Sequence, residues 1–393
     1  MSFLFLFINL TTSIIIVIIL LYQYWDFYST KRKTPLPLGL IIGLIFILFI
    51  AGIVITHFIA NSYLFENINN TSSNSSHNSV LQNPGLLGDS AGVVNALFSA
   101  LAFGGVIYTL FLQRGEIDSN QKDIAVGKFE TKYYEMIHLH KQNVDEIKVG
   151  EIEGRSAIEL LFKNLEDFYN LVENTITDVD HQLTLEKQAI ILNPNSSMDE
   201  IARIEIIDKM KQYISNSNSL IKFTHEVSYG YFFYGIENYF ITKDKRDIRF
   251  DLNVEITSLI RKNGIPPSLN TPRNSLLGHY FRHLYQTVQL VAKDKTINEE
   301  EIKYNYIKML RAQLSDFEQA LLYYNALSIM GAKWLEPLGE RQIENMCYIA
   351  RFRLIKNMPY YYNYFGIRPG VFFRIEKEVW ESKGKYFFEI NLA

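Results

Sequence analysis

The chain has 393 residues and a single cysteine, Cys347. One cysteine excludes an intramolecular disulfide and any metal site built on several thiolates. It fits a reducing compartment for the water-exposed part of the chain. The familiar chemical signatures are also absent. There is no GxxxxGK[ST] phosphate loop, no GxSxG elbow and no HExxH helix. Charge is nearly balanced, with 39 Lys and Arg against 42 Asp and Glu and a formal net charge of -3. That leaves no global bias toward nucleic acid, although local patches are still open. No internal repeat is evident.

What the chain does have is three stretches poor in charge. Ser2 to Trp25 and Leu38 to Leu64 carry no Asp, Glu, Lys or Arg, and neither does the stretch between Asp89 and Arg114. A membrane helix needs about 20 mostly apolar residues. The expectation is therefore three spans, at about 3–24, 38–63 and 91–113. Lys31, Arg32 and Lys33 sit between the first two runs, and a base-free Asn/Ser-rich loop separates the second from the third. The positive-inside rule places the basic loop in the cytoplasm and the amino terminus outside. A third span then returns the remainder to the cytoplasm. In the third run Gly92, Ala96, Ala100 and Gly104 recur every fourth residue, with Asn95 beside them. Such a stripe permits close helix approach, so a homo-oligomer through this helix is expected.

Beyond residue 114 the pattern is mostly helical. Ile117–Val149 reads as a long helix, and Gly154–Thr175 has apolar residues at helical spacing. Leu192–Asp199 reads as a turn with Ser196 or Ser197 as a cap. Ile201–Phe240 reads as two helices broken near Ser228–Gly235, and Gly264–Asn274 as a proline-rich loop. Ser275–Ala292 and Glu299–Met330 are the strongest helices. Near the end, VFFRIEKEVWESKGKYFFEI alternates around Ser382–Gly384 and suggests a hairpin. The expected fold class is mainly α: transmembrane helices, then a cytoplasmic helical domain, then a small C-terminal β-hairpin. The expected divisions are 1–114, 115–356 and 357–393.

Candidate chemistry gathers on the two strong helices. His279, Arg282, His283 and Gln286 share one face by three- and four-residue spacing. Two histidines four apart need a third ligand to hold a metal. His138, His140 and Glu318 qualify only by type, so no metal and no cofactor are expected. Arg311, Ser315, Glu318 and Asn325 fall on one face of the second helix. With His138 and His140 they suggest a buried polar network, an arrangement that more often fixes packing than performs catalysis. A third pattern places Arg273 six residues before His279. Helical ribonucleases of the HEPN class carry this kind of spacing. There an arginine stabilises a phosphorane while histidine moves protons. Arg273, His279, Arg282 and His283 would then be catalytic. The side chains around them, Tyr280, Phe281, Leu284 and Tyr285, look like packing residues and favour a structural role.

Four blocks carry a resemblance: GDSAGVVNALFSALAFGGVIYTLFLQRGE, KYYEMIHLHKQNVDEI with Gly154–Arg155, LGHYFRHLYQ, and YIKMLRAQLSDFEQALLYYNALS. In this order they resemble the phage abortive infection family, the AbiC-like membrane proteins of bacteria. The resemblance covers most of Gly88–Met330. It implies a multi-pass protein of the bacterial inner membrane, in contact with the lipid bilayer, that harms or arrests the infected cell. The leading expectation is an effector released by a phage-derived trigger or a neighbouring defence subunit to disrupt the inner membrane. The alternatives are a membrane-tethered, metal-independent ribonuclease of the HEPN type, with nucleic acid as its partner, and a non-toxic sensor or adaptor.

Overall fold

The computed structural model describes residues 51, 84–242, 244–266, 269, 271–337, 346–359 and 363–389. The chain divides into two units, Met1–Asp123 and Ile124–Ala393. The expected spans at 3–24 and 38–63 lie outside the described residues, apart from Ala51, which is helical.

The third expected span is corrected. Residues 91–113 belong to helix α1, Pro84–Asp145, which is 62 residues long and continuous. Among the described residues no helix is long and apolar enough to cross a membrane. The inner-membrane, multi-pass localisation is therefore not supported. The physical reason lies in the residues that looked like a packing stripe. Gly92, Asn95, Ser99, Gly104, Gly105 and Thr109 are all exposed and dilute the apolar run. After Arg114 the same helix continues through charged residues.

The second unit is built around α2, Gly154–Leu192. Ala157, Ile158, Leu161, Phe162, Leu165, Phe168, Val172, Ile176, Val179 and Leu183 follow helical spacing, and all are buried. A side chain of Val, Leu or Phe size fully removed from water contributes about 1.5–3 kcal/mol, so this one face holds much of the core. A two-residue hairpin, β1 Lys148–Val149 and β2 Ile152–Glu153, joins α1 to α2. Gly150, at φ +60°, makes its turn.

Next come α3 Met198–Ser215, α4 Ser217–Tyr234 and α5 Ile248–Asn263, all packed on α2. Ser197 caps α3 with a full capping box through Glu200. The break in this region is at Asn216, not near Ser228–Gly235. The Asn216 side chain accepts from the Ser219 amide and starts α4. Helix α4 then runs unbroken to Gly235, at φ +89°.

Helix α6, Asn274–Lys293, matches its expected bounds within a residue. The expected helix 299–330 is two helices, α7 Glu300–Arg311 and α8 Asp316–Leu327, followed by a 3-10 turn Ile329–Trp334. Ser315 is the reason. It caps α8, and Glu318 closes the box by accepting from the Ser315 amide at 2.6 Å.

The expected C-terminal hairpin is corrected too. After α9, Tyr348–Phe352, the tail forms α10 Pro369–Phe372 and α11 Arg374–Ser382. Phe373 and Trp380 are both buried. They lie seven residues apart, about two helical turns, and this helical period overrides the apparent alternation.

Tyrosines fill the interior, and several of the most buried have a partner for the hydroxyl. Tyr231 meets Thr257 at 2.7 Å, Tyr323 donates to the Ile367 carbonyl at 2.6 Å and Tyr324 to the Phe365 carbonyl at 3.0 Å. Buried phenols keep their ring area and avoid an orphaned donor in this way.

Candidate functional site: a buried histidine–glutamate cluster

Three helices of the second unit bring four polar side chains together. His140 comes from the last turns of α1, Tyr280 and His283 from α6, and Glu318 from the start of α8. Glu318 is completely buried. The α8 cap fixes its position, because one carboxylate oxygen accepts from the Ser315 amide. The other accepts from the Tyr280 hydroxyl at 3.0 Å. His140 Nε2 lies 3.6 Å from that same oxygen, an ion-pair distance rather than a hydrogen bond. The His140 ring tilts 43° to Tyr280 at 5.3 Å and stacks on His283 at 6.3 Å.

Burial alone would raise the Glu318 pKa. The His140 contact and the Ser315 amide and hydroxyl lower it by more, so it titrates below the usual carboxylate range. Burial, then the Glu318 charge, push the Tyr280 phenol well above its ordinary value, so it remains a donor. Burial, then His140, lower the His283 pKa. At neutral pH the cluster is a carboxylate held by a phenol and a cap.

Among the described residues neither imidazole has a hydrogen-bond partner. All four ring nitrogens of His140 and His283 are shielded from solvent without a hydrogen-bond partner. Buried polar atoms rarely go unpaired. Groups so enclosed cannot exchange protons with a substrate in this conformation. Among the described residues, no set of three His, Cys, Asp or Glu side chains is arranged to hold a metal ion.

The other candidate residues lie elsewhere. Arg273 is buried in front of α6 and donates to the carbonyls of Thr271 and Leu269. Its guanidinium also sits 5.7 Å from the Phe168 ring and 5.6 Å from that of Phe232. His279 and Arg282 are exposed on α6. His138 lies outside the cluster and meets Gln142 at 3.2 Å. Arg311 turns to the carbonyls of Phe352 and Arg353 at 3.2 and 3.1 Å. Asn325 donates to the Tyr229 hydroxyl at 2.7 Å. Gly92, Asn95, Ala96, Ala100 and Gly104 are all exposed, and a Cβ added at Gly92 or Gly104 would meet nothing within 4 Å.

Sequence reasoning treated Tyr280 as packing and missed its bond to Glu318. The available signal was the Ser-x-x-Glu of Ser315 and Glu318, which starts a helix and so rotates Glu318 toward α6.

Residues 273–361 match the family model described as "Putative phage abortive infection protein". No curated protein and no solved structure matches the chain. The matched segment holds Tyr280, His283, Ser315 and Glu318, while His140 precedes it. The resemblance to the AbiC-like abortive infection proteins is thus shown over residues 273–361.

Proposed function

We propose that the chain acts in phage abortive infection as a sensor or adaptor, a binding protein with no ribonuclease activity of its own. The family description supports the defence role. One observation carries the finer reading: Arg273 is spent inside the fold. Its Nη1 donates to two backbone carbonyls and its guanidinium lies near two phenyl rings, whereas His279 is exposed. An arginine that stabilises a phosphorane must present its donors to the reacting phosphate. The enclosed nitrogens of His140 and His283 support the same conclusion.

Expression of this chain alone, beside phage challenge of its His279→Ala and Arg282→Ala variants, tests the reading. The expected result is normal growth from the chain alone, undiminished protection in both variants and intact transfer RNA in infected cells. Growth arrest by the single chain with RNA loss, both removed by His279→Ala, would overturn it.

A further inference from the structure

A second site lies apart from the histidine–glutamate cluster. A cavity of about 390 Å³ opens among α3, α4, the start of α5, the end of α8 and the tail. That size falls within the usual range for small-ligand pockets, about 300–1,000 Å³. Tyr213, Phe223 and Phe372 give it aromatic walls, with Leu327, Leu335 and Ile367 between them. Tyr213 and Phe223 meet edge to face at 5.7 Å.

Its polar groups are few and differ in state. His225 is 4% exposed and lines the cavity. Its Nε2 lies 3.1 Å from the Tyr324 carbonyl oxygen. A carbonyl can only accept, so Nε2 carries the proton. Burial holds the imidazole pKa down at about 4, which leaves the ring neutral near pH 7. Nδ1 is then a bare acceptor, and no described residue donates to it. Glu226 also lines the cavity, but both of its oxygens are engaged, by the Tyr239 hydroxyl at 2.8 Å and the Ile329 amide at 3.1 Å. Two cations complete the lining. Arg249 is paired with Asp247, and Lys222 is exposed with no partner among the described residues.

We infer that this cavity binds a small aromatic anion, a flat ring with an N–H or O–H donor for His225 Nδ1 and a phosphate or carboxylate for Lys222 and Arg249. The aromatic walls accept a planar body. Asp247 takes Arg249 Nε and Nη2 but not Nη1, Lys222 is unpaired, and the lining carboxylate's oxygens already accept from donors. A neutral apolar ligand would shield Nδ1 from solvent without supplying a donor, which costs free energy. This site goes beyond the defence role and does not depend on it.

Titration calorimetry on the full-length protein tests the inference. The probes are nucleoside 5′-monophosphates and indole-3-acetate, with adenosine and inorganic phosphate as controls. The first two distinguish a phosphate-bearing ligand from a carboxylate. The expected result is binding of at least one aromatic anion, none of inorganic phosphate, and at least tenfold weaker binding in Lys222→Glu. Lys222 is exposed, so that variant keeps its thermal unfolding midpoint. Leu327→Trp, which fills the cavity, abolishes binding. Failure of every aromatic anion to bind, or binding unchanged in Lys222→Glu, would overturn the inference.

Discussion

Truncating Glu318 is the sharpest test of the buried cluster. Glu318→Ala removes three things at once. The Ser315 amide loses its acceptor in the α8 capping box, which costs about 1 kcal/mol. The Tyr280 hydroxyl, bonded at 3.0 Å, is left without an acceptor in a dry site, which costs about 1–3 kcal/mol. The deleted side-chain atoms leave space that the helices only partly close. Together these give about 3–5 kcal/mol, the range measured when one partner of a buried charged pair is removed. Glu318→Gln keeps the shape and one acceptor, so it is expected to cost only about 1–2 kcal/mol. The two variants also differ in their response to acid. The folded-state pKa of Glu318 lies below its ordinary value of 4.5. Its contribution is therefore full above that value and is lost as pH falls through the folded pKa. Glu318→Gln lacks that loss and should be less acid-sensitive than the parent below about pH 4.5. Urea unfolding at pH 7 and at pH 4 measures both quantities. A cost below about 1 kcal/mol for Glu318→Ala, or identical acid sensitivity in parent and Gln variant, would refute the cluster as described.

Three further expectations follow from single sites. Arg273→Ala should destabilise by about 2–4 kcal/mol, because its charge-assisted hydrogen bonds and its packing on two rings disappear together. Arg273→Lys should recover little of this in thermal unfolding, because lysine lacks the planar fork. Gly230→Ala should destabilise by about 1–3 kcal/mol, although such a change inside a helix usually stabilises. The added Cβ would fall 2.1 Å from a Tyr239 ring carbon, and loss of protein abundance in cells reports it. Cys347 is buried, and burial raises its thiol pKa to about 11. It should resist maleimide labelling in the folded protein at about pH 7.5, where the thiolate is scarce, and react fully in urea.

Much of the second unit was legible because burial there follows helical spacing. The apolar positions of α2 from Ile158 to Phe168 and the bounds of α6 could be read directly from the sequence, whereas the continuation of α2 from Thr175 to Leu192 was not. The split between α7 and α8 could not be read from hydrophobic periodicity, which runs through Ala312–Leu314 without a gap. It was readable from the cap, since Ser315-x-x-Glu318 has the form of a helix start. The charge-free run after Asp89 misled for a different reason. Absence of charge is not the same as apolarity, and glycine, asparagine, serine and threonine take seven of its 24 positions. The Arg273–His279 spacing did not reveal the surroundings of either side chain. Arg273 lies just before the first residue of α6 with non-helical backbone, so helical spacing does not set its direction. Arg273 then finds Phe168 and Phe232 in the core, while His279 faces out. His140, His283 and Glu318 were identified by type. Only the tertiary packing of α1 on α6 and α8 could join them.

How the last turns of α1 are held follows from two unlike attachments. Near α7, Tyr133 donates to the Tyr306 carbonyl at 2.5 Å and the Tyr306 hydroxyl donates to Glu130 at 2.7 Å. Their rings also meet edge to face at 5.1 Å. That pair locks helix to helix through two short hydrogen bonds. Two turns further on, His140 faces Glu318 at 3.6 Å, beyond hydrogen-bond distance, and has no hydrogen-bond partner among the described residues. Separating α1 at Tyr133 would break both bonds in a buried setting, where an orphaned donor is costly. Separating it at His140 gives up the 3.6 Å contact that holds the Glu318 pKa down, and it returns two unpaired nitrogens to water. Hydration of those nitrogens partly offsets the apolar packing given up there. The His140 end thus rests on packing and one ion-pair contact, and the Tyr133 end on hydrogen bonds.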